Sequence, residues 1–301
     1  MPDVKKPAKL KICMICSEAH PIVKVGGLGD AVPALARELR AHGMDIRLLI
    51  PNYQDGQAQV RARIPLPPIK LGRHSFPAAL LETNIGDVPV YLLDIPVLYD
   101  RPGVYGPRID QAHHDNLLRF GALAAAVFPA CRALNWQPDI IHGHDWQACL
   151  SPCLADLEPD FAGTPQVITI HNIGYQGDFP LHQMDDLGVE AARAIQCGLL
   201  LHGKINLLAG GIVHANAVTT VSAQYAQEIQ GELGYGLQGI IQARRDDLYG
   251  IMNGMDYDEW NPATDPHLAQ NFDYNSPQVF ADKAINKTAL QKELGLPLDK
   301  D

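Results

Sequence analysis

The chain has few basic residues, no long apolar run and no disulfide framework of cysteines. It carries 24 Lys and Arg against 34 Asp and Glu, a net charge of −10, whereas nucleic-acid recognition requires a clustered basic surface. Its longest apolar patch, Gly121–Cys131, is shorter than the roughly 20 residues that cross a bilayer. Met1–Lys11 is too polar for a secretory signal. These absences predict a cytoplasmic protein that binds neither nucleic acid nor membrane.

Six cysteines are scattered along the 301 residues rather than arranged as a disulfide framework. Cys13 and Cys16 form a C-x-x-C, which is found in redox and zinc motifs, but no second C-x-x-C completes a zinc site. Cys149 and Cys153 are one helical turn apart. Because the first pair lies in the apolar run Leu10–Cys16 and free cysteines are commonly buried, we predict that these cysteines are core residues.

Short apolar runs alternate with helical segments along the chain. The runs predict strands at Lys11–Cys16, Asp45–Ile50, Ala78–Thr83, Val88–Leu93, Asp139–His142, Gln166–His171, Ala217–Val221 and Asp247–Met252. Helices are predicted at Leu28–Ala41, Ala112–Leu134, Asp145–Leu157, Lys204–Ala215 and Ser222–Gln230. This alternation predicts an α/β fold, Rossmann-like, with a doubly wound, mostly parallel sheet whose strand C-termini share one edge.

The composition changes towards the C-terminal end. Asn261–Pro277 is rich in proline and turn-forming residues, which predicts a linker. Phe280–Leu294 has apolar residues at helical spacing and is followed by Gly295, which predicts a helix. We therefore expect one domain over residues 1–262 and a linker plus helix over residues 263–301.

A glycine-rich loop follows the first predicted strand. The segment Lys24-Val-Gly26-Gly27-Leu-Gly-Asp30 opens the first helix, where glycines permit close approach of backbone N–H groups and a helix N-terminus favours phosphate. The spacing fits neither the dinucleotide G-x-G-x-x-G nor the P-loop, so those mechanisms do not transfer. Taken alone, the loop is also compatible with a tight turn that binds nothing.

Three further polar segments follow predicted strands, and parallel strands bring them to the same sheet edge. They are His142-Gly-His144-Asp145-Trp146, His171-Asn172-Ile-Gly-Tyr175-Gln176-Gly177 and Asn253-Gly-Met-Asp256. Carboxylates and amides bind hydroxyl groups, and Trp146 and Tyr175 offer flat faces to sugar rings, so the loops predict a sugar site. A metal site at His142, His144 and Asp145 is the alternative. Because no third histidine has a recognisable spacing, we expect no metal and no cofactor.

These segments resemble one protein family, in the family's own order. The glycine loop resembles the Lys-x-Gly-Gly-Leu-(Gly/Ala)-Asp signature of bacterial glycogen synthases and plant starch synthases. Other similar blocks are His142-x-His-Asp-Trp146, His171-Asn-x-x-Tyr-Gln-Gly177, Thr220-Val-Ser222 and Asn253-Gly-x-Asp-x-x-x-Trp260-x-Pro262. The similarity extends from about Lys11 to Leu296, nearly the whole chain.

The resemblance implies a retaining glucosyltransferase of the GT-B architecture, with this chain as its N-terminal half. Such enzymes transfer glucose from ADP-glucose, or sometimes UDP-glucose, to the non-reducing end of an α-1,4-glucan without a metal. By position, Asp145 and His171 are implied as catalytic residues, His171 contacting the donor glucose and Asp145 orienting the acceptor or the charge. The implied substrate-binding residues are Lys24, Gly26, Gly27, Asp30, His144, Trp146, Asn172, Tyr175, Gln176 and Asn253. Among them, the amides of Gly26 and Gly27 are expected to face the sugar–diphosphate.

The family's second domain should follow the linker and carry an Arg and Lys pair, a Glu-rich motif and most nucleotide contacts. Since the sequence ends at Asp301, we expect half of the cleft to be missing and the chain to have little or no transferase activity alone. The expected partners are ADP-glucose, α-1,4-glucan and a separate C-terminal domain. A non-catalytic glucan- or nucleotide-sugar-binding module is the alternative. The choice between ADP-glucose and UDP-glucose, and the oligomeric state, stay open.

Overall fold

The computed structural model describes residues 9–108, 110–257 and 259–298. The chain divides into two units, Met1–Gly254 and Met255–Asp301. The strands of the larger unit are β1 (Lys11–Ile15), β2 (Asp45–Pro51), β3 (Ala62–Leu71), β4 (His74–Ile85), β5 (Val88–Asp94), β6 (Ile140–His144), β7 (Gln166–Ile170), β8 (Asp178–Pro180), β9 (Leu200–Leu201), β10 (Lys204–Asn206), β11 (Ala217–Thr220) and β12 (Leu248–Gly250).

The α-helices of the larger unit are α1 (Leu28–Ala41), α2 (Pro96–Tyr99), α3 (Asn116–Ala133), α4 (Ser151–Ala155), α5 (Met184–Leu187), α6 (Ala191–Gln196), α7 (Leu207–His214), α8 (Ala223–Glu228) and α9 (Gln238–Ala243). Short 3₁₀ helices cover Trp146–Ala148, Leu181–Gln183, Glu232–Gly234 and Arg245–Asp247. The smaller unit contains α10 (Val279–Glu293), which confirms the helix predicted there. Within the described residues, no helix combines the length and the apolar character needed to span a membrane.

One nine-stranded sheet organises the larger unit, in the order β12-β11-β7-β6-β1-β2-β5-β4-β3. Neighbours from β12 to β5 are parallel, whereas β4 pairs antiparallel with β5 and β3. The predicted α/β fold with a mostly parallel sheet is therefore confirmed. A smaller antiparallel sheet, β8-β10-β9, lies outside it.

The sheet is covered on both faces, as its uninterrupted apolar strands predicted. In β1, Cys13 and Ile15 join the core formed with α3, while Ile12 and Met14 join the core formed with α1. This alternation follows from the two-residue period of a strand. All six cysteines are buried and free, which confirms the prediction that they are core residues. Cys13 and Cys16 belong to opposite cores, so their C-x-x-C does not form a site.

Three of the differences from the predictions have a direct physical reason. The sequence does not predict β3, because prolines such as Pro65 and Pro67 interrupt it; β3 is an edge strand with a bulge between Leu66 and Ile69, where proline is tolerated. The helix predicted over Lys204–Ala215 begins only after β10, where the Asn206 side chain caps α7 by accepting the Ala209 N–H at 2.7 Å. The helix predicted over Asp145–Leu157 is divided into the Trp146–Ala148 3₁₀ turn and α4.

Candidate functional site

The loops after β1, β6 and β7 lie side by side because these three strands are neighbours in the sheet. Their carboxyl ends bring residues 16–27, 145–150 and 171–177 to one edge, the usual ligand edge of such sheets. β12 lies two strands beyond β7, so Asn253 is about 10 Å farther along this edge at ordinary strand spacing. Asn253 is exposed there. The predicted loops thus share one edge, but only three of them are adjacent.

The carboxylate of Glu18 binds the backbone of the glycine loop. Glu18 is only 2% exposed, and its Oε2 accepts the N–H groups of Val25 at 2.5 Å and Gly26 at 2.9 Å. Its Oε1 accepts the Tyr105 hydroxyl at 2.7 Å, and that hydroxyl lies 2.8 Å from Ser17 Oγ. The expectation that the Gly26 amide faces a sugar–diphosphate is wrong for this structure, because the Glu18 carboxylate already binds that amide.

Gly26 and Gly27 are not required by the conformation or packing of the loop itself. Gly27 has φ −65° and ψ −20°, which any residue adopts, and a Cβ on either glycine would meet nothing within 4 Å. Gly29 differs, since a Cβ there would lie 3.0 Å from Glu18 Oε2 and 3.2 Å from Lys24 Cγ. Open space over two glycines at the start of α1 allows a ligand to approach the backbone closely.

Lys24 and Asp30 pair with each other instead of standing apart as two ligand contacts. Lys24 Nζ lies 2.7 Å from Asp30 Oδ1, and the two side chains are 34% and 21% exposed. The ammonium group is therefore accessible to an anion, while Asp30 offsets part of its charge. Both residues lie at the N-terminal end of α1, where the helix dipole also favours a negative ligand.

Asp145 joins the ends of β6 and β7 in a conformation that side chains disfavour. Its φ of 57° and ψ of −178° belong to a region that is essentially restricted to glycine and costs about 1–3 kcal/mol. Its Oδ1 accepts the N–H groups of His171 at 2.7 Å and Asn172 at 3.3 Å. Burial raises the pKa of the carboxyl to about 7, the two amides oppose that shift, and the charge of Glu18 adds to it.

Three histidine rings lie in contact with one another beside Asp145. His142 and His144 point to the same side of β6, with ring centroids 4.3 Å apart, as their spacing predicted. His144 Nδ1 lies 3.0 Å from His171 Nε2. Burial lowers the pKa of His142 and His171 to about 4 and also lowers that of His144, so all three rings are neutral at pH 7. His144 is fully buried and contacts His171, which corrects the expectation that it binds substrate directly.

Trp146 is packed into the core rather than presented to a ligand. It is 8% exposed, and its ring lies edge-on to Phe120 at a centroid distance of 4.9 Å and 5.8 Å from Phe179. Gly177 covers it further, since a Cβ there would lie 2.5 Å from Trp146 Cε3. The flat face expected to meet a sugar ring is therefore already covered by protein.

The remaining residues after β7 differ in whether their side chains are available to a ligand. Gln176 is held internally: its Nε2 donates to the carbonyls of Ile173 and Tyr235, and its Oε1 accepts the Asn206 amide at 2.8 Å. Asn172 is exposed, and its Oδ1 accepts the Gly174 N–H at 2.9 Å. Tyr175 is 68% exposed and keeps a face available to a ligand. Of the two aromatic residues predicted to meet sugar, the structure leaves Tyr175 open.

The sequence did not single out Glu18 or Tyr105 as site residues. An acidic residue three positions after a buried strand is a usable signal for Glu18, because a buried carboxylate requires donors. Tyr105 gives no such signal, since it lies 87 residues from the carboxylate that it binds. No group of three His, Cys, Asp or Glu side chains among the described residues is arranged to hold a metal ion.

The fold and this edge together define a Rossmann-like α/β protein whose polar loops lie at the carboxyl ends of its strands, the edge at which such sheets usually bind ligands. The family model of the starch synthase catalytic domain matches residues 11–243, and the chain belongs to that family. The family predicted from the sequence motifs is confirmed.

Two glycogen synthases and one starch synthase structure support the same assignment. The chain is 38% identical over 301 residues to a glycogen synthase of Geotalea daltonii, covering 97% of this chain and 61% of that protein. It is 40% identical over 305 residues to a glycogen synthase of Rhodospirillum rubrum, again covering 97% and 61%. The catalytic domain of starch synthase IV from Arabidopsis thaliana, bound to ADP and acarbose, matches with a TM-score of 0.79 and 28% identity over 96% of this chain and 60% of that one. The chain thus spans about three fifths of the length of these relatives.

Proposed function

We propose that this chain supplies the acceptor-side half of a glycogen or starch synthase site, which transfers glucose with retention from ADP-glucose to the non-reducing end of an α-1,4-glucan. The observation that carries the proposal is the contact between two motif blocks: Asp145 Oδ1 accepts the amides of both His171 and Asn172. This contact holds the two implied catalytic residues against each other, beside the open space over Gly26 and Gly27.

The donor side is the start of α1. The space over Gly26 and Gly27 admits a diphosphate, and Lys24 and the N-terminal end of α1 supply positive potential. ADP-glucose is proposed over UDP-glucose because the similar starch synthase IV structure is bound to ADP. We assign the diphosphate to the amide of Gly27, which has no acceptor among the described residues, rather than to that of Gly26, which Glu18 already binds.

The reaction breaks the bond between the glucosyl C1 and the diphosphate oxygen, which releases ADP, and forms a bond from C1 to a glucan hydroxyl oxygen, whose proton passes to the departing phosphate. C1 acquires oxocarbenium character, which nearby oxygen atoms stabilise. Asp145, whose burial raises the carboxyl pKa to about 7, is assigned to orient the acceptor hydroxyl. His171 is assigned to the donor glucose. Exposed Tyr175 is assigned to the glucan.

Lys24 is the one cationic side chain in the segments 16–27, 145–150, 171–177 and 251–256, and Asp30 offsets its charge. A diphosphate leaving group needs more positive charge than this. We therefore propose that efficient transfer requires cationic residues from a further part of the enzyme, and that this chain alone transfers glucose slowly. The six free thiols fit a reducing compartment, which supports a cytoplasmic location.

Calorimetric titration of this chain with ADP-glucose tests the donor assignment. We expect Lys24→Ala to weaken binding about tenfold, the equivalent of about 1.4 kcal/mol. Lys204→Ala, at an exposed lysine of β10, is the matched control and should bind like the unaltered chain. Equal affinity of the Lys24→Ala and unaltered chains would contradict the proposal.

A radiolabel incorporation assay with ADP-glucose and glycogen measures transfer separately. Slow but glucan-dependent incorporation that Asp145→Ala abolishes supports an incomplete catalytic site. Binding of ADP-glucose or maltoheptaose without any incorporation would instead favour the non-catalytic binding module. The same assay on a longer relative, with the residue equivalent to Asp145 intact, should then also show no incorporation. Rapid turnover by this chain alone would contradict the need for further cationic residues.

A further inference from the structure

We propose that His144 is a positioning residue that fixes the tautomer of His171, so that His171 keeps its proton on Nδ1 and offers that N–H to the substrate. The inference rests on the proposed function only for the identity of the substrate. The tautomer itself follows from the contacts of two buried rings and is measurable without any ligand.

The contact that joins the two rings is a single nitrogen-to-nitrogen hydrogen bond. His144 Nδ1 and His171 Nε2 are 3.0 Å apart, and the ring centroids are 5.3 Å apart. His144 is fully buried, and its other nitrogen, Nε2, has no hydrogen-bond partner in the described part of the chain. No described residue pairs with His171 Nδ1 either, so this one bond decides where both protons lie.

Two neutral arrangements are compatible with this bond, because a neutral imidazole has one donor and one acceptor nitrogen. In the first, His144 Nδ1–H donates to His171 Nε2, and His171 carries its proton on Nδ1. In the second, His171 Nε2–H donates to His144 Nδ1, and His144 carries its proton on Nε2.

The second arrangement leaves a buried N–H on His144 Nε2 without an acceptor. Buried N–H groups without partners are rarer in folded proteins than under-satisfied acceptors. The first arrangement leaves only a lone pair there, and it is therefore the more stable one. Burial also holds both rings neutral, since it lowers their pKa values below the usual range of histidine.

The rest of the stack supports His144 without taking part in this bond. His142 Nε2 lies 2.7 Å from Thr169 Oγ1, which in turn lies 2.6 Å from Thr219 Oγ1. His142 therefore bonds directly to β7, is linked to β11 only through Thr169, and meets His144 only through a tilted ring contact. It provides an internal control: the same residue type, on the same face of the same strand, with no bond to His171.

A neutral His171 with an Nδ1–H is a hydrogen-bond donor to a sugar hydroxyl or phosphate oxygen. The backbone N–H of His171 already bonds to Asp145 at 2.7 Å, so the residue is held at two points, through the main chain and through the ring. Losing the His144 bond removes the second point and lets the ring adopt the other tautomer. The substrate then meets a lone pair where it needs a donor.

Two-bond ¹⁵N–¹H correlation spectra of the histidine-labelled chain test the tautomer directly. The His171 signal is assigned by its absence in His171→Gln. We expect the Nδ1–H pattern in the unaltered chain and in His142→Leu, and the Nε2–H pattern or a mixture in His144→Leu. His144→Asn restores the Nδ1–H pattern, because the asparagine amide N–H lies where histidine Nδ1–H lies. Thermal unfolding of each variant shows whether it is folded.

An Nε2–H pattern for His171 in the unaltered chain overturns the proposal, and this measurement needs no variant. An unchanged Nδ1–H pattern in a folded His144→Leu also overturns it. Titration with ADP-glucose forms the second arm, in which we expect binding about tenfold weaker in His144→Leu and close to normal in His144→Asn and His142→Leu. Absence of ADP-glucose binding by the unaltered chain, together with the expected tautomers, would overturn the proposed function and leave the role of His144 supported.

Discussion

At the scale of single residues, Asp145 combines a backbone conformation that disfavours side chains with a carboxyl whose burial disfavours charge. Both features cost stability, and both lie where two motif blocks meet. Strain and shifted pKa values are concentrated at functional sites in proteins, because geometry is maintained there at the expense of stability. Asp145 therefore offers a direct test of whether this edge is arranged for chemistry.

Asp145→Asn should change the pH dependence of folding. The pKa of the carboxyl is raised from 3.8 to about 7 on folding, so between these values the native state holds a proton that the unfolded state has released. Stability conferred by that proton is present at low pH and declines as pH rises towards 7. The free energy of unfolding of Asp145→Asn, relative to that of the unaltered chain, should therefore rise by about 3 kcal/mol from pH 4 to pH 7. Urea unfolding of both chains at a series of pH values measures this difference.

Asp246→Asn is the matched control, because it removes one carboxylate whose side chain is 93% exposed. Its free energy of unfolding should follow the unaltered chain across the same pH range. Parallel curves for Asp145→Asn and the unaltered chain would show that the Asp145 carboxyl titrates normally.

Gly27→Ala should separate ligand binding from folding. The backbone of Gly27 is in the ordinary helical region and a Cβ there meets nothing, so the variant should fold with stability within about 1 kcal/mol of the unaltered chain. The added methyl enters the space assigned to the diphosphate, and ADP-glucose binding should weaken at least about tenfold. Calorimetric titration measures it, and Gly239→Ala, in equally open space, should bind normally. Normal binding by Gly27→Ala would exclude the space over α1 as the donor site.

The residue scale also marks the limit of what the sequence predicts. The sequence identified Lys24, Asp145 and His171 at one sheet edge, because strand ends and loop composition are local features. It did not predict that Glu18 binds the Gly26 amide or that the ring of Trp146 is packed against Phe120. These facts depend on residues distant in the chain, whose approach is decided by packing and not by spacing.

At the scale of elements, the segment that follows β7 is held against the 3₁₀ turn Trp146–Ala148. Gly177 has φ +67°, and a Cβ there would overlap the Trp146 ring at 2.5 Å. Gly177→Ala therefore combines a conformational cost with overpacking, and we expect it to destabilise the chain by about 3 kcal/mol. Chemical denaturation measures the difference.

Gly163→Ala isolates the conformational part of that cost. Gly163 has φ +85°, and a Cβ there meets nothing within 4 Å, so its replacement should cost only about 1 kcal/mol. Equal costs for the two variants would show that the Gly177 loop moves away from Trp146 easily, and that this contact does not position residues 171–177.

Elements were predictable where their burial is uniform. β1, β2, β5 and β7 are covered on both faces, and continuous runs of Ile, Leu and Val mark them. β3 escaped prediction because its prolines are tolerated only at a sheet edge, and edge position is a property of the assembled sheet. The start of α7 was placed too early because Lys204–Asn206 pairs with β8 and β9, a contact that no local pattern shows.

At the scale of the whole molecule, the six cysteines report on how the larger unit unfolds. They lie on both sides of the sheet, and each is at most 5% exposed. Thiol reactivity depends on access and on the thiolate fraction. Burial raises the pKa of Cys16 and Cys149, whereas a hydrogen bond from Cys153, with His214 and Arg193 nearby, lowers the pKa of Cys197 to about 6.

Access and thiolate fraction lead to opposite expectations for the reactivity of Cys197 in the native chain. If thiolate fraction controlled the reaction, Cys197 would react first with an aromatic disulfide reagent at pH 7. Because Cys197 is 0% exposed, we expect instead that no thiol reacts in the native chain and that all six react over one transition in urea, coincident with loss of circular dichroism. Cys197→Ala is the control. One fast-reacting thiol in the native chain, absent from Cys197→Ala, would show that α6 opens independently of the sheet, since access to Cys197 would then not require global unfolding.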